Sequence, residues 1–162
     1  MLMHVRWFLN KMDNKEKYMK MALKEADKAE LIDEVPIGCV IVKNDKVIAR
    51  AHNVKESSKD ATGHAEIIAI RKASKKVDNW RLEDCDIYIT LEPCIMCSGA
   101  LIQSRIRNIY FGAYDFKGGA LGSSINVLEA QNINHHPYVE GGILLEECSQ
   151  KISKYFQTKR KN

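Results

Sequence analysis

The stretch Thr90-Leu91-Glu92-Pro93-Cys94-Ile95-Met96-Cys97-Ser98-Gly99-Ala100 constrains this chain more than any other, because it sets two thiols where a strand would turn into a helix. Upstream, Ile87 to Leu91 is a β-branched and aromatic run that reads as a buried strand. Downstream the apolar residues suit a helix, and Pro93 is placed to start its first turn. Residues three apart share one helix face, so Cys94 and Cys97 can aim both sulfurs at one point. A Cys-x-x-Cys pair alone is ambiguous, since it serves zinc sites and redox-active dithiols equally. A second stretch decides for a metal. His64-Ala65-Glu66, thirty residues before Cys94, opens an alanine- and isoleucine-rich segment that reads as a helix to about Val77. His64, Cys94 and Cys97 are thereby predicted to hold one zinc ion per chain, with the Glu66 carboxylate beside it.

The 162 residues, 45% of them hydrophobic, suffice for one domain with a real core and are too few for two. Residues 1–13 read as a disordered extension, with Met12 an equally plausible start, and 14–162 as a single zinc-binding domain. Five cysteines without a disulfide-like framework or a secretory signal imply a reducing compartment, the cytoplasm by default. No apolar run approaches the roughly 20 residues that cross a bilayer, so no membrane partner is expected, and nothing in the chain calls for an organic cofactor. The net charge of +4 is uneven, with +2 over residues 1–12, +5 over 148–162 and −3 between. The basic C-terminal end carries Tyr155 and Phe156, a combination that suits single-stranded nucleic acid, but Ile152 beside them favours an apolar face that docks the helix.

In order, Asn14 to about Glu30 is an amphipathic helix with Tyr18, Met21, Ala22, Ala26 and Ala29 on its core face. Ile37–Val42 and Val47–Ala51 form a hairpin about Lys43-Asn44-Asp45-Lys46. The His64 helix, the strand before Cys94 and a strand over Arg107–Phe111 follow. Gly118 to Gly122 is a loop, without the Lys-Ser/Thr ending of a phosphate-binding loop. A short helical piece near Val127, a strand over Tyr138–Ile143 and a helix from about Leu145 complete an alternating α/β pattern.

The chemistry follows from the ligand count. One His and two Cys leave a fourth zinc position open for water, as a catalytic zinc requires, and the water's pKa then falls from about 15.7 to about 7. Glu66 is not needed as a ligand and can carry the water's proton to a substrate. The arrangement suits hydrolytic removal of an amino group from an amidine-like carbon of a base, with release of ammonia.

These stretches match the zinc deaminases that act on nucleobases. More closely, the chain resembles the bacterial tRNA-specific adenosine deaminases, which convert the wobble adenosine of an anticodon to inosine. The resemblance runs from Tyr18 to Phe156 through Glu34-Val35-Pro36-Ile37-Gly38, Ala51-His52-Asn53, His64-Ala65-Glu66-Ile67, Trp80-Arg81-Leu82-Glu83, Leu91 to Ala100, Ser104-Arg105-Ile106 and Asp115-Phe116-Lys117-Gly118-Gly119. It implies a three-layer α/β/α sandwich with a mixed five-stranded sheet, of the cytidine deaminase type, its hairpin antiparallel and its later strands parallel. It also implies His64, Cys94 and Cys97 as zinc ligands and Glu66 as the catalytic proton shuttle. Asn53 and the backbone N–H of Ala65 would hold the flipped nucleoside, and Asp115, Asn134 and His135 would contact the anticodon loop. The partner is a tRNA anticodon stem-loop, with arginine tRNA expected, and the assembly a homodimer.

The chain departs from the family's pattern at Gly63, Phe116 and His136, which bear on RNA affinity and not on the reaction. Cys39 and Cys148 read as buried small hydrophobes, Cys85 as a loop or strand-edge thiol, His4 and His52 as incidental, and Trp80 as packed on the core. Arg81 is expected to pair with Glu83 or Asp84. Two alternatives stand beside the tRNA reading: a deaminase of free bases or nucleosides such as guanine or cytosine, and a non-enzymatic zinc-binding subunit. The unliganded Glu66 opposes the second, and the basic, aromatic end with Asp115 to Gly119 opposes the first.

Overall fold

The computed structural model describes residues 2–161, with the backbone alone at 11–13. Five strands form one sheet in the order β2-β1-β3-β4-β5, from β1 (Gly38–Lys43), β2 (Lys46–His52), β3 (Cys85–Leu91), β4 (Asn108–Ala113) and β5 (Tyr138–Glu140). Asn44 and Asp45 both take positive φ, 49° and 58°, as a two-residue turn matched to the strand twist requires, so β1 and β2 close a tight hairpin. β1 is also antiparallel to β3, whereas β3, β4 and β5 run parallel. The expected mixed sheet is found, although β5 is shorter than its sequence run.

Alternation along the strands splits the core in two, because successive side chains point to opposite faces. Cys39, Ile41, Ile87, Ile89, Ile109 and Phe111 face α3 (Ala65–Val77) and α4 (Ile95–Gln103), meeting the small Ala65, Ala69 and Ala73. Val40, Val42, Tyr88 and Tyr110 face the other way, toward α1 (Leu2–Leu31) and α5 (Leu145–Arg160), where Tyr18, Met19, Ala22 and Cys148 cover them. Tyr88 and Tyr110, paired across the parallel strands, stack with centroids 4.8 Å apart. Helix α1 lies directly on β1. A Cβ at Gly38 would fall 2.2 Å from the Ala22 carbonyl oxygen and 2.4 Å from the Ala26 nitrogen.

Several expectations change. The helix expected from Asn14 begins at Leu2, and the backbone of residues 2–13, set apart within an extension, is its first part; Met1 lies outside the described residues. No glycine or proline interrupts residues 2–31, and Leu2, Val5, Phe8 and Leu9 remain exposed, so local propensity and not burial accounts for these turns. Trp80 is 53% exposed and not packed on the core; the chain leaves α3 through a left-handed Asp78, and Leu82 takes the buried position instead. Arg81 lies over the Trp80 ring, 4.3 Å from its centroid, with Glu83 at 4.0 Å. Cys85 is buried as the first residue of β3. The basic end is a docking face: Lys151 pairs with Asp27 and Glu30, Lys159 with Asp33, and the Tyr155 hydroxyl donates to the Asp33 carbonyl. Among the described residues no helix is long and apolar enough to cross a membrane.

Candidate functional site

Strands β2 and β3 point the same way, so the segments leaving their C-terminal ends meet at one edge of the sheet. From β2 the chain passes Asn53 and the four-residue α2 (Lys55–Ser58) to His64, the N-cap of α3; from β3 it passes Glu92 and Pro93 to Cys94, the N-cap of α4. Both caps have extended backbone, which turns their side chains across the gap between the helix starts. His64 Nδ1 stands 3.6 Å from Cys94 Sγ and 3.5 Å from Cys97 Sγ. A tetrahedral zinc with bonds of about 2.0–2.1 Å to nitrogen and about 2.3 Å to sulfur places such ligands roughly 3.6 Å apart. The three donors fit that ion.

The electrostatics suit the same use. The Cys94 thiol is pushed down to about 4, first by its hydrogen bond with Cys97 and, against the effect of burial, by His64 as well. Cys97 is pushed up, first by its bond to Cys94 and then by burial. His64 is raised chiefly by its hydrogen bond to Cys94. Glu66, in the first turn of α3 and 4% exposed, is raised chiefly by burial, with Cys94 adding to the effect. A carboxyl moved upward in this way is a better proton acceptor than an ordinary glutamate, as a group that accepts and returns a proton needs to be.

The buried Asn53 Oδ1 accepts from the Ala65 backbone N–H at 2.9 Å. The two groups expected to hold the nucleoside thus bond to each other. The Ala65 N–H is spent internally, while the Asn53 amide nitrogen has no partner among the described residues. His52, read as incidental, has its Nδ1 3.1 Å from the buried Glu25 Oε2 and so ties the end of β2 to α1.

Asp115 belongs to the loop that follows β4, and no local sequence pattern anchors that loop. The anchor is Glu92, 2% exposed, whose Oε2 accepts from Asp115 N and whose Oε1 accepts from Leu121 N and Ser123 N, each at 3.1 Å. Gly119 lets the carboxylate in, since a Cβ there would lie 2.5 Å from Glu92 Oε2. Ala120 N donates to the Pro93 carbonyl at 2.9 Å, and Asp115 Oδ1 accepts from Lys117 N and Gly118 N. The loop is fastened to the two residues that precede Cys94. Glu34 does the same for the segment before His64: it is 1% exposed, and its Oε1 accepts from Ser57 N at 2.6 Å. Both acids lie in stretches that carry the resemblance, Glu34 two residues before Pro36 and Glu92 directly before Pro93, but nothing local to either marks the loop it holds.

His64, Cys94, Cys97, Glu66, Asn53 and Ala65 are therefore brought together, and Asp115 is linked to them through Glu92. Asn134 and His135 are not. They precede β5 at the opposite end of the sheet, where Asn134 is exposed and His135 Nε2 bonds the Ile106 carbonyl at 2.6 Å.

The model of the MafB19-like deaminase family matches residues 13–161. The chain is 47% identical over 150 residues to the tRNA-specific adenosine deaminase of Bacillus subtilis, covering 93% of each chain. It is 46% identical over 146 residues to the protein of that name from Haemophilus influenzae, covering 90% of this chain and 84% of the relative. A solved structure of a tRNA:A34 deaminase, from work on A-to-I editing at the wobble position of transfer RNA, superposes with a TM-score of 0.81 at 42% identity, covering 83% of this chain and 98% of that one.

Proposed function

The chain belongs to the family of tRNA-specific adenosine deaminases, and on that premise we propose that it converts the wobble adenosine of a tRNA anticodon, arginine tRNA first among candidates, to inosine. In this reading residues 14–162 form one deaminase domain with one zinc per chain, acting as a homodimer in the cytoplasm. The observation that carries it is a buried carboxyl, Glu66, two residues from a His/Cys/Cys donor set with tetrahedral spacing.

When bound, zinc supplies an acidified water as the nucleophile at neutral pH. Glu66 takes a proton from the attacking water and passes it to the ring nitrogen beside the reacting carbon. A second transfer through the same carboxyl reaches the amino group as its carbon–nitrogen bond breaks. The carbon gains the water's oxygen, and ammonia leaves. Burial of Glu66 keeps it from being levelled by solvent, so both transfers run through one group. Asn53 presents its amide nitrogen to the flipped nucleoside, and Ala65 acts by holding the Asn53 oxygen. Asp115 lies toward the anticodon backbone. Asn134 and the half-exposed ring of His135 remain contacts for more distant RNA. An unpaired base splayed from a loop is the form that such a pocket reads.

The test is inosine formation in an arginine-tRNA anticodon stem-loop with adenosine at the wobble position, using zinc-loaded protein. Conversion at that base alone is expected, lost in Glu66→Gln with one zinc per chain retained. Absence of conversion by the zinc-loaded protein would refute the tRNA reading, and activity on free guanine or cytosine would replace it.

A further inference from the structure

The loop fastened by Glu92 carries an aromatic column whose exposure rises outward. Phe111 in β4 is buried at 2%; Tyr114 meets it edge-on, with centroids 5.2 Å apart at 87°, and is 43% exposed. Phe116 lies nearly parallel to Tyr114, at 6.4 Å and 23°, and is 79% exposed. A phenyl ring so exposed on a mobile loop would need no explanation. This loop is not free to move: the Glu92 carboxylate takes three of its N–H groups, Asp115 takes two more, and Ala120 is bonded to Pro93. The ordering cost of holding an aromatic face in water has already been met, and one face of Phe116 has no ring against it among the described residues. Lys117, also exposed, stands beside it.

We propose that Phe116, backed by Tyr114, is a stacking platform for one unpaired nucleobase of the RNA loop flanking the target adenosine. The inference rests on the tRNA-deaminase reading and names a contact within it. Every base has a π-face, so an aromatic ring held rigid beside a cation binds a single strand without demanding a sequence. The short covalent path from the loop's anchor at Glu92 to Cys94 sets the platform at a fixed offset from the reacting atom. A flanking base stacked on Phe116 leaves the target nucleotide turned toward Glu66.

The test measures binding of the wobble-adenosine stem-loop to zinc-loaded Glu66→Gln protein, which blocks turnover, with and without Phe116→Ala. Removing the ring is expected to weaken binding about 5- to 150-fold, the range of one base–aromatic stack. Phe116→Trp restores the affinity and Phe116→Leu does not, which separates a π-face from apolar area alone. Stem-loops with an abasic nucleotide at each loop position in turn identify the base: at one flanking position the RNA change and Phe116→Ala together cost no more than either alone. Affinity within twofold for Phe116→Ala overturns the proposal, as does a shift in sedimentation without a change in affinity, which would assign Phe116 to a protein contact. Should the Phe116-intact protein neither bind nor convert the stem-loop, the tRNA reading itself falls and takes the platform with it.

Discussion

Glu92→Gln tests the clamp beside the metal site with almost no change of shape. The carboxylate accepts three N–H bonds, two at Oε1 and one at Oε2, each at 3.1 Å. An amide keeps one oxygen, which serves the Leu121 and Ser123 pair, and its NH2 then faces the Asp115 N–H, donor against donor. A hydrogen bond to a charged group is worth about 1.5–3 kcal/mol, and one such bond is lost outright. At about 2–4 °C per kcal/mol for a chain of this size, the melting temperature should fall by about 3–12 °C. Thermal unfolding of the zinc-loaded protein by circular dichroism reads the loss. Hydrogen exchange locates it, with the amides of residues 115–123 exchanging faster. A shift below about 1 °C with unchanged exchange would show that Glu92 does not hold this loop.

Gly38→Ala should cost about 3 kcal/mol or more, because the new methyl meets helix backbone at 2.2 and 2.4 Å that no side-chain rotation can move; chemical denaturation checks this, and a near-neutral result would mean that α1 does not lie on β1 as described. Glu34 titrates below the ordinary glutamate range: burial pushes it up, but the backbone N–H groups of Ser57 and Glu56 more than offset that. A lowered pKa gives stability that is complete above the unfolded-state value and is lost as pH falls through the folded one. Between about pH 5 and 3, spanning the usual glutamate value, wild-type protein should therefore lose stability more steeply than Glu34→Gln, as urea midpoints would show, and parallel slopes would refute the linkage.

The elements that a local pattern can announce were legible. The hairpin turn, the Ala-rich α3, the strand before Cys94 and the Cys94–Cys97 pair all follow from residues within a few positions of one another, whereas His64 joins the two thiols from thirty residues away. The buried acids were not, because Glu25, Glu34 and Glu92 are explained by partners 23 to 31 residues away, brought close only by the sheet. Trp80 misled for a related reason: aromatic character argues for burial, but the left-handed exit from α3 turns the ring outward and lets Leu82 enter. Ala65 and Asn53 lie side by side, but their bond to each other depends on the extended backbone at His64, which no local pattern announces. Asn134 and His135, grouped with the site through resemblance, lie at the far end of parallel strands whose direction the sequence pattern leaves open.

The crossing of β1 between β2 and β3 also sets the order in which the three donors assemble. In an unfolded chain Cys94 and Cys97 are neighbours, but His64 is thirty residues away, and only the antiparallel pairing of β1 with both flanking strands carries it to them. Before that pairing forms, the chain offers a two-thiol chelate; afterwards it offers three donors at fixed spacing. A zinc ion held by these three donors, as proposed, would bind the native state far better than the denatured one and so add RT ln(1 + [Zn]/Kd) to stability. Cells short of the metal would hold less of the enzyme in folded form as well as less of it in active form.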